Sequence, residues 1–278
     1  MNTLRQISAV CAVGLSGLSQ RRSTALVIVV GSACVVGVLL SMLCVTVGLT
    51  RAYQTGGSPS RAVVYAKQAG GEWGTGLKRE SVGAILNAPG IARSADGRPA
   101  ADAEMLMSLL PPEGFVDGTL GLRTFGPAGT AVHPQFAIVA GRMFHTGAQE
   151  VVVGAKVARK FRFAVGGKVG MPQGEWPIVG VFTSGGDRLE GEFVADADTV
   201  MSAAKVNGFG SVIAQLVDPS AFPEFEAWLI SDPTLTVGVE RQTDFNTRQA
   251  GHAVERFIRI SYGIGVIMGL GAVFGASQ

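Results

Sequence analysis

Cysteine is scarce in this chain and is confined to its N-terminal part. The three cysteines are Cys11, Cys34 and Cys44, so the stretch from residue 50 to residue 257 contains none. That stretch therefore has no disulfide and no thiolate metal site, and it must be held together by packing.

A nucleotide-binding motif is missing as well. No lysine is followed by Ser or Thr, which excludes a phosphate-binding loop of the ATPase type. The run Gly166-Gly167-Lys168-Val169-Gly170 lacks the dinucleotide-binding spacing and is typical of a tight turn. The sequence thus predicts no ATP site and no cofactor.

Catalytic and metal-ligating patterns are equally sparse. The only histidines are His133, His145 and His252, and none has a second ligand at metal-binding spacing. Asp187, Glu190 and Glu192 lie close together in the sequence, and a solvated loop explains them as well as an acid–base pair does. We therefore expect no metal site and no enzyme activity.

Charge is absent from two apolar segments. Residues 24–49 contain no Asp, Glu, Lys, Arg or His and, at about 1.5 Å per residue, are long enough for a hydrocarbon core of about 30 Å. We predict a transmembrane helix at 24–49 and a second, truncated one at 258–278, so the chain reads as a fragment of a longer permease-like protein. A cleaved signal peptide is the alternative for the first segment, and a buried helix or hydrophobic tail for the second.

The remaining charges predict the topology. The leader at residues 1–23 has an amphipathic pattern and carries Arg5, Arg21 and Arg22 without an acidic residue, which places it at the cytoplasmic face of the inner membrane. Residues 50–257 hold all 21 acidic residues and have a slight acidic excess, so we expect them to be extracytoplasmic and not to bind nucleic acid.

Strand and helix patterns mix within residues 50–257 without strict alternation, which indicates an α+β domain, either single or composed of two subdomains. Residues 93–134 are less regular. Helices are predicted at 80–86, 154–160, from Asp196 or Asp198 to Lys205, at 222–230 with Ser220 as its cap, and at 245–257. Strands are predicted at 62–66, 136–139, 150–153, 176–182, 211–217 and 235–239.

Small residues at four-residue spacing occur in both apolar segments. Such residues allow helix backbones to approach closely in lipid. The helix-packing candidates are Ala33, Gly37 and Ser41 in the first segment and Gly265, Gly269, Gly271 and Gly275 in the second.

An ordered set of motifs resembles a known family. Gly141-Arg142-Met143-Phe144 is followed by residues 150–154 (EVVVG), by residues 166–170 (GGKVG) and by residues 178–182 (IVGVF), and the set lies between two apolar segments. This order resembles the periplasmic core domain of MacB-type and FtsX-type ABC transporter permeases.

The resemblance implies a permease subunit that dimerises, works with a cytoplasmic ABC ATPase and contacts membrane lipid. Such subunits act in export, lipoprotein release or mechanotransmission, and the family has no catalytic residues in the permease. A membrane-anchored sensor or scaffold without an ATPase is the main alternative, and a membrane-tethered enzyme is the third.

Overall fold

The computed structural model describes residues 22–69, 71–111 and 120–252, together with 254–255, 259 and 263. Residues 51–250 form one compact unit, and the described residues before and after them belong to a second unit. The predicted leader and the predicted second span therefore lie outside the described residues, apart from residues 22, 23, 259 and 263.

A single long helix, Arg22–Gln54, covers the segment that we predict to be the first membrane span. The segment is free of proline and rich in aliphatic residues, so nothing in it interrupts the backbone hydrogen bonds of a helix. Over the parts of the chain that the structure describes, no helix meets both the length and the hydropathy of a membrane span. The membrane-spanning role of residues 24–49 stays a prediction.

The first sheet of the 51–250 unit has four strands in the order β11-β1-β10-β2, all antiparallel. Its central strand β1 is buried at every residue, as its unbroken apolar run predicts. The helices Arg79–Leu86 and Phe222–Ser231 pack against this sheet. The strands are β1 (Arg61–Ala66), β2 (Ala101–Glu104), β10 (Ser211–Gln215) and β11 (Val237–Arg241).

The second sheet has the order β3-β4-β9-β6-β8-β5, with β7 paired to β8. The β4–β9 and β6–β8 pairs are parallel and the others antiparallel. Its strands are β3 (Leu106–Leu109), β4 (Leu120–Phe125), β5 (Ala137–Gly141), β6 (Val151–Gly154), β7 (Lys168–Met171), β8 (Gly174–Thr183) and β9 (Glu192–Asp196). The remaining helices are Gly129–Val132, Ala155–Phe161 and Ala197–Ala204, with 3-10 turns at Leu189–Gly191 and Pro219–Ala221.

The two sheets share one hydrophobic core. A continuous cluster of buried side chains includes Val64 and Ala214 from the first sheet and Trp176 and Phe193 from the second. Along β8, Trp176 and Ile178 are buried while the residues between and before them are exposed, which is the two-residue period of a strand with one face inward. The mixed sheets and short helices confirm the α+β class.

Most predicted elements of the second half are confirmed within one or two residues. Asp196 caps the helix Ala197–Ala204, because its carboxylate accepts a hydrogen bond from the Thr199 amide at 3.1 Å. Gly166 has a φ of +88° in the turn predicted there. The predicted helix at 245–257 has helical backbone from residue 242 to residue 252.

Two predictions were wrong. The described residues between 93 and 134 were expected to be less regular than the rest, but they contain β2, β3, β4 and a helical turn. Ser220 does not cap the helix Phe222–Ser231. Instead, Asp218 accepts a hydrogen bond from the Ser220 amide at 2.7 Å and opens a 3-10 turn that leads into the helix.

Candidate functional site

A cluster of charged side chains is buried where the two sheets meet. The chain leaves the first sheet at Glu104, the last residue of β2, and joins the second sheet at Leu106, with only Met105 between the two strands. At this crossing, the Met105 amide donates to the Thr124 hydroxyl and the Met105 carbonyl accepts from the Thr124 amide, both at 2.9 Å. Arg123 is thereby brought next to Glu104, although they belong to different sheets.

Arg123 lies at the centre of this cluster and binds three carboxylates. Its Nε donates to Glu192 Oε2 at 2.7 Å and its Nη2 to Glu192 Oε1 at 3.3 Å. Its Nη1 donates to Glu104 Oε2 at 2.7 Å and to Glu72 Oε2 at 2.9 Å. All four side chains are almost fully buried, and the single guanidinium offsets only one of the three carboxylate charges, so the cluster needs further cationic or hydrogen-bonding partners.

Arg188 and His133 complete the group, which we name the Arg123 network: Arg123, Arg188, His133, Glu72, Glu104 and Glu192. Arg188 donates to Glu72 Oε1 and lies 3.6 Å from Glu192. His133 Nε2 lies 2.7 Å from Glu104 Oε1. Each oxygen of the three carboxylates therefore contacts a nitrogen donor or a ring nitrogen. Because no carboxylate oxygen is left for a substrate, the network is better suited to joining strands than to acid–base chemistry.

Burial and pairing oppose each other in setting the pKa values of the network. Desolvation alone would raise the pKa of Glu72, but the charges of Arg123 and Arg188 outweigh it and lower that pKa to about 2. The pKa of Glu104 is likewise lowered against its desolvation by His133 and Arg123. The pKa of Arg123 is raised well above its usual value by the three carboxylates, which outweigh desolvation. Glu72 and Glu104 are therefore ionised at neutral pH.

A polar cavity of about 50 Å³ lies beside the network, a volume sufficient for a few water molecules. Glu72, Arg123, His133 and Arg188 line one side. The other side is lined by the two segments at the ends of the 51–250 unit, through Tyr53, Thr55 and Gly56 near its start and Gln242, Phe245 and Asn246 near its end.

The segment at the start of the unit is fixed to the cavity by several contacts. The Arg61 guanidinium donates to the Gly56 carbonyl at 2.6 Å and to the Val132 carbonyl at 2.7 Å. The guanidinium of Arg188 lies over the Tyr53 ring, 5.4 Å from its centroid. These contacts hold residues 53–56 against the junction of the two sheets.

The segment at the end of the unit is bound to the first. The Ser58 amide donates to Gln242 Oε1 at 3.2 Å. Arg241 donates to the Pro59 carbonyl at 3.0 Å. Because β1 and β11 are also neighbours in the first sheet, the two segments next to the predicted spans start from adjoining strands.

A solvated loop is the wrong interpretation for Glu190 and Glu192. Glu190 and Glu192 are 4% and 5% exposed. Glu192 belongs to the Arg123 network, and Glu190 Oε1 accepts hydrogen bonds from the Thr183 hydroxyl at 2.6 Å and from the amides of Ser184 and Gly186 at 2.9 and 2.8 Å. Glu192 thus serves the junction between the sheets and Glu190 holds the turn after β8, which local sequence pattern does not reveal.

The helix-packing candidates divide by position. Ala33, Gly37 and Ser41 are exposed on the helix Arg22–Gln54, where the Ser41 hydroxyl donates to the Gly37 carbonyl at 2.8 Å. The remaining candidates, Gly265, Gly269, Gly271 and Gly275, lie outside the described residues. Their packing role stays a prediction.

A second buried carboxyl, Asp102 on β2, holds the turn that follows β4. Its Oδ2 accepts from the Gly126 amide at 2.8 Å and its Oδ1 from the Ala128 amide at 3.1 Å. Burial, reinforced by the charge of Glu104, raises the pKa of Asp102 to about 7 in spite of these two bonds. The sequence pattern did not identify Asp102, because acidic residues are disfavoured at buried positions of a strand.

We expect Asp102 to make folding stability fall as pH rises. Its pKa is higher in the folded than in the unfolded state, so the proton that stabilises the folded form is lost between about pH 4 and about pH 7. Compared with Asp102→Asn, the unmodified chain should lose up to ~4 kcal/mol of unfolding free energy over this range. Chemical denaturation at a series of pH values measures the difference.

The exposed Asp96→Asn variant is the control for this titration. The pKa of Asp96 is lowered to about 2, first by a hydrogen bond from Ser94, so its charge does not change above pH 4. A pH profile of Asp102→Asn that ran parallel to that of the unmodified chain would contradict the raised pKa.

The chain is similar to known proteins both at the level of a family and at the level of solved structures. The family model of the MacB-like periplasmic core domain matches residues 23–231. The extracellular domain of the noncanonic ABC-type transporter YknZ from Gram-positive bacteria is 14% identical, with a TM-score of 0.48, over 65% of this chain and 99% of that one. The periplasmic region of MacB from Actinobacillus actinomycetemcomitans is 12% identical, with a TM-score of 0.49, over 69% and 94%. A comparison with curated proteins gave no match.

Proposed function

The chain belongs to the family of MacB-like periplasmic core domains, and we propose that it is a membrane-anchored permease subunit of an ABC transporter. Its 51–250 unit is extracytoplasmic and moves when a cytoplasmic ATPase subunit hydrolyses ATP. The chain itself is not an enzyme. Its partners are that ATPase, a second permease copy and membrane lipid.

The observation that carries this proposal is the convergence of the two ends of the unit on one cavity. Residues 53–56 and residues 242–246 both line the cavity beside the Arg123 network. A displacement of either segment therefore reaches Arg188, Arg123 and, through them, strands of both sheets. A joint of this kind transmits motion from membrane helices to the domain without any chemistry of its own.

We expect a flexible glycine linker inserted after Ala250 to uncouple ATP hydrolysis from domain movement. The insertion interrupts the helical backbone of residues 242–252, so that tilting of the following segment no longer displaces residues 242–246. In the complete transporter, with the native cysteines replaced and a spin label at Glu224→Cys, ATP should shift the distance between the two labelled copies. The linker variant should hydrolyse ATP and lose this shift.

The same linker inserted between Pro172 and Gln173 is the matched control, because these two residues form the exposed turn between β7 and β8. This control should keep the shift. An unchanged shift in the Ala250 variant would refute mechanical coupling through this segment. Identical distances with and without ATP in the unmodified transporter would favour the membrane-anchored sensor instead.

A further inference from the structure

A large cleft lies beside β2 and the turn that follows β4. It shares no lining residue with the polar cavity. It has a volume of about 650 Å³, which lies in the range of small-molecule sites. Its walls come from the helix Arg79–Leu86 and β2 on one side and from residues 126–131 and the start of the helix Ala197–Ala204 on the other. Alanine side chains dominate the lining, among them Ala95, Ala101, Ala103, Ala128, Ala131 and Ala197.

Two ion pairs lie at the rim of this cleft. Arg79 contacts Asp198 at 2.6 Å, which joins the two walls, and Arg98 contacts Asp96 at 2.6 Å. Both pairs are exposed, so each cation is already matched with a carboxylate in water. The rim charges therefore neutralise one another.

Asp102 is the exception among the charges of the cleft. It is 2% exposed and belongs to the lining, yet no cationic side chain of the described residues forms an ion pair with it. Its two oxygens each accept one backbone amide, and each has a second lone pair. The charge that acts on it is that of another acid, Glu104, which disfavours the ionised form.

We propose that this cleft binds a small amphipathic amine, with the ammonium group paired to Asp102 and the apolar part against the alanine wall. A cation is the complement that the buried carboxylate lacks, and the small side chains leave room for an aliphatic body. An uncharged apolar ligand would pack against the alanine side chains but would leave the Asp102 carboxylate without a cationic partner. The inference does not depend on the transport function, since binding to the cleft requires no ATPase.

Photolabelling of the full chain in lipid nanodiscs tests the proposal. The probes are a diazirine-bearing alkyl primary amine and its N-acetyl derivative, which differ in charge but share the apolar chain. We expect the amine to label peptides that contain residues 94–103 and 126–131 about tenfold more than the amide does, as one added ion pair of about 1.4 kcal/mol would give. Peptide mass spectrometry locates the label.

Three variants test which residues of the cleft bind the probes. Asp102→Asn should reduce cleft labelling by the amine to the level of the amide, whereas Asp96→Asn at the rim should leave it unchanged. Ala131→Leu should reduce labelling by both probes, because it narrows the cleft while leaving the Asp102 carboxylate in place, and it keeps the test valid if Asp102→Asn folds poorly. Equal labelling by amine and amide in the unmodified chain, or labelling confined to other peptides, would overturn the proposal.

Discussion

Replacement of Arg123 by methionine is expected to lower the free energy of unfolding by about 3–5 kcal/mol, because it leaves buried carboxylates without their shared cation. Arg123 is 3% exposed and donates to Glu72, Glu104 and Glu192. Methionine preserves much of the side-chain volume, so the loss measures charge and hydrogen bonding rather than a cavity. Chemical denaturation of the full chain at neutral pH gives the value.

The pH dependence of the same variant provides an independent check. In the unmodified chain the pKa of Glu72 is depressed to about 2, so its stabilising contribution is present above the ordinary glutamate pKa and is lost as pH falls toward 2. Without Arg123, Glu72 is protonated at a higher pH than in the unmodified chain. Lowering the pH should therefore reduce the difference in unfolding free energy between the variant and the unmodified chain.

Arg98→Ala is the matched control for a lost arginine. Arg98 pairs with Asp96 at 2.6 Å, but this pair is exposed and screened by water, so its loss should change the free energy of unfolding far less than the loss of Arg123 does. If Arg123→Met proved as mild as Arg98→Ala, the Arg123 network would not be what joins the two sheets.

The sequence was most informative where the structure is locally determined. The run at residues 176–182 alternates in burial as a strand should, and Asp196 begins its helix as a capping residue should. These features depend on side chains within a few residues of one another, so the pattern of a short window contains the information that specifies them.

The candidate site could not be found in this way. Strand β2 reads Ala-Asp-Ala-Glu and is buried throughout, which no hydrophobic pattern predicts. Its acids are stabilised by partners remote in the sequence, since Glu104 is matched by Arg123 and by His133. Pairing between distant residues, rather than hydropathy, makes this segment a strand.

The glycine motifs gave the family resemblance, and the structure supplies their physical reason. At Gly141, φ is +74° and an added Cβ would lie 2.2 Å from the Val179 carbonyl oxygen. At Gly180 an added Cβ would lie 2.2 Å from the Arg142 carbonyl oxygen. These glycines allow β5 and β8 to approach each other closely, so the motif records backbone packing and says nothing about a substrate.

Gly154→Ala is expected to destabilise the fold by about 2–3 kcal/mol, because the new methyl group has no space. A Cβ at this position would lie 2.2 Å from the carbonyl oxygen and 2.5 Å from the carbonyl carbon of Glu190, which are backbone atoms that no rotamer change can move. Differential scanning calorimetry should show a fall in Tm of roughly 5–10 °C for a unit of this size.

The comparison of Gly154→Ala with Gly170→Ala separates close packing from a general cost of replacing glycine. Gly170 lies in β7 with nothing within 4 Å of an added Cβ, so its substitution should change stability by no more than ~0.5 kcal/mol. The strain at Gly154 acts on the 3-10 turn Leu189–Gly191, which lies between Arg188 and Glu192 of the Arg123 network. Gly154→Ala should therefore lose much of its effect in the Arg123→Met background, and strictly additive losses would show that the turn and the network are independent.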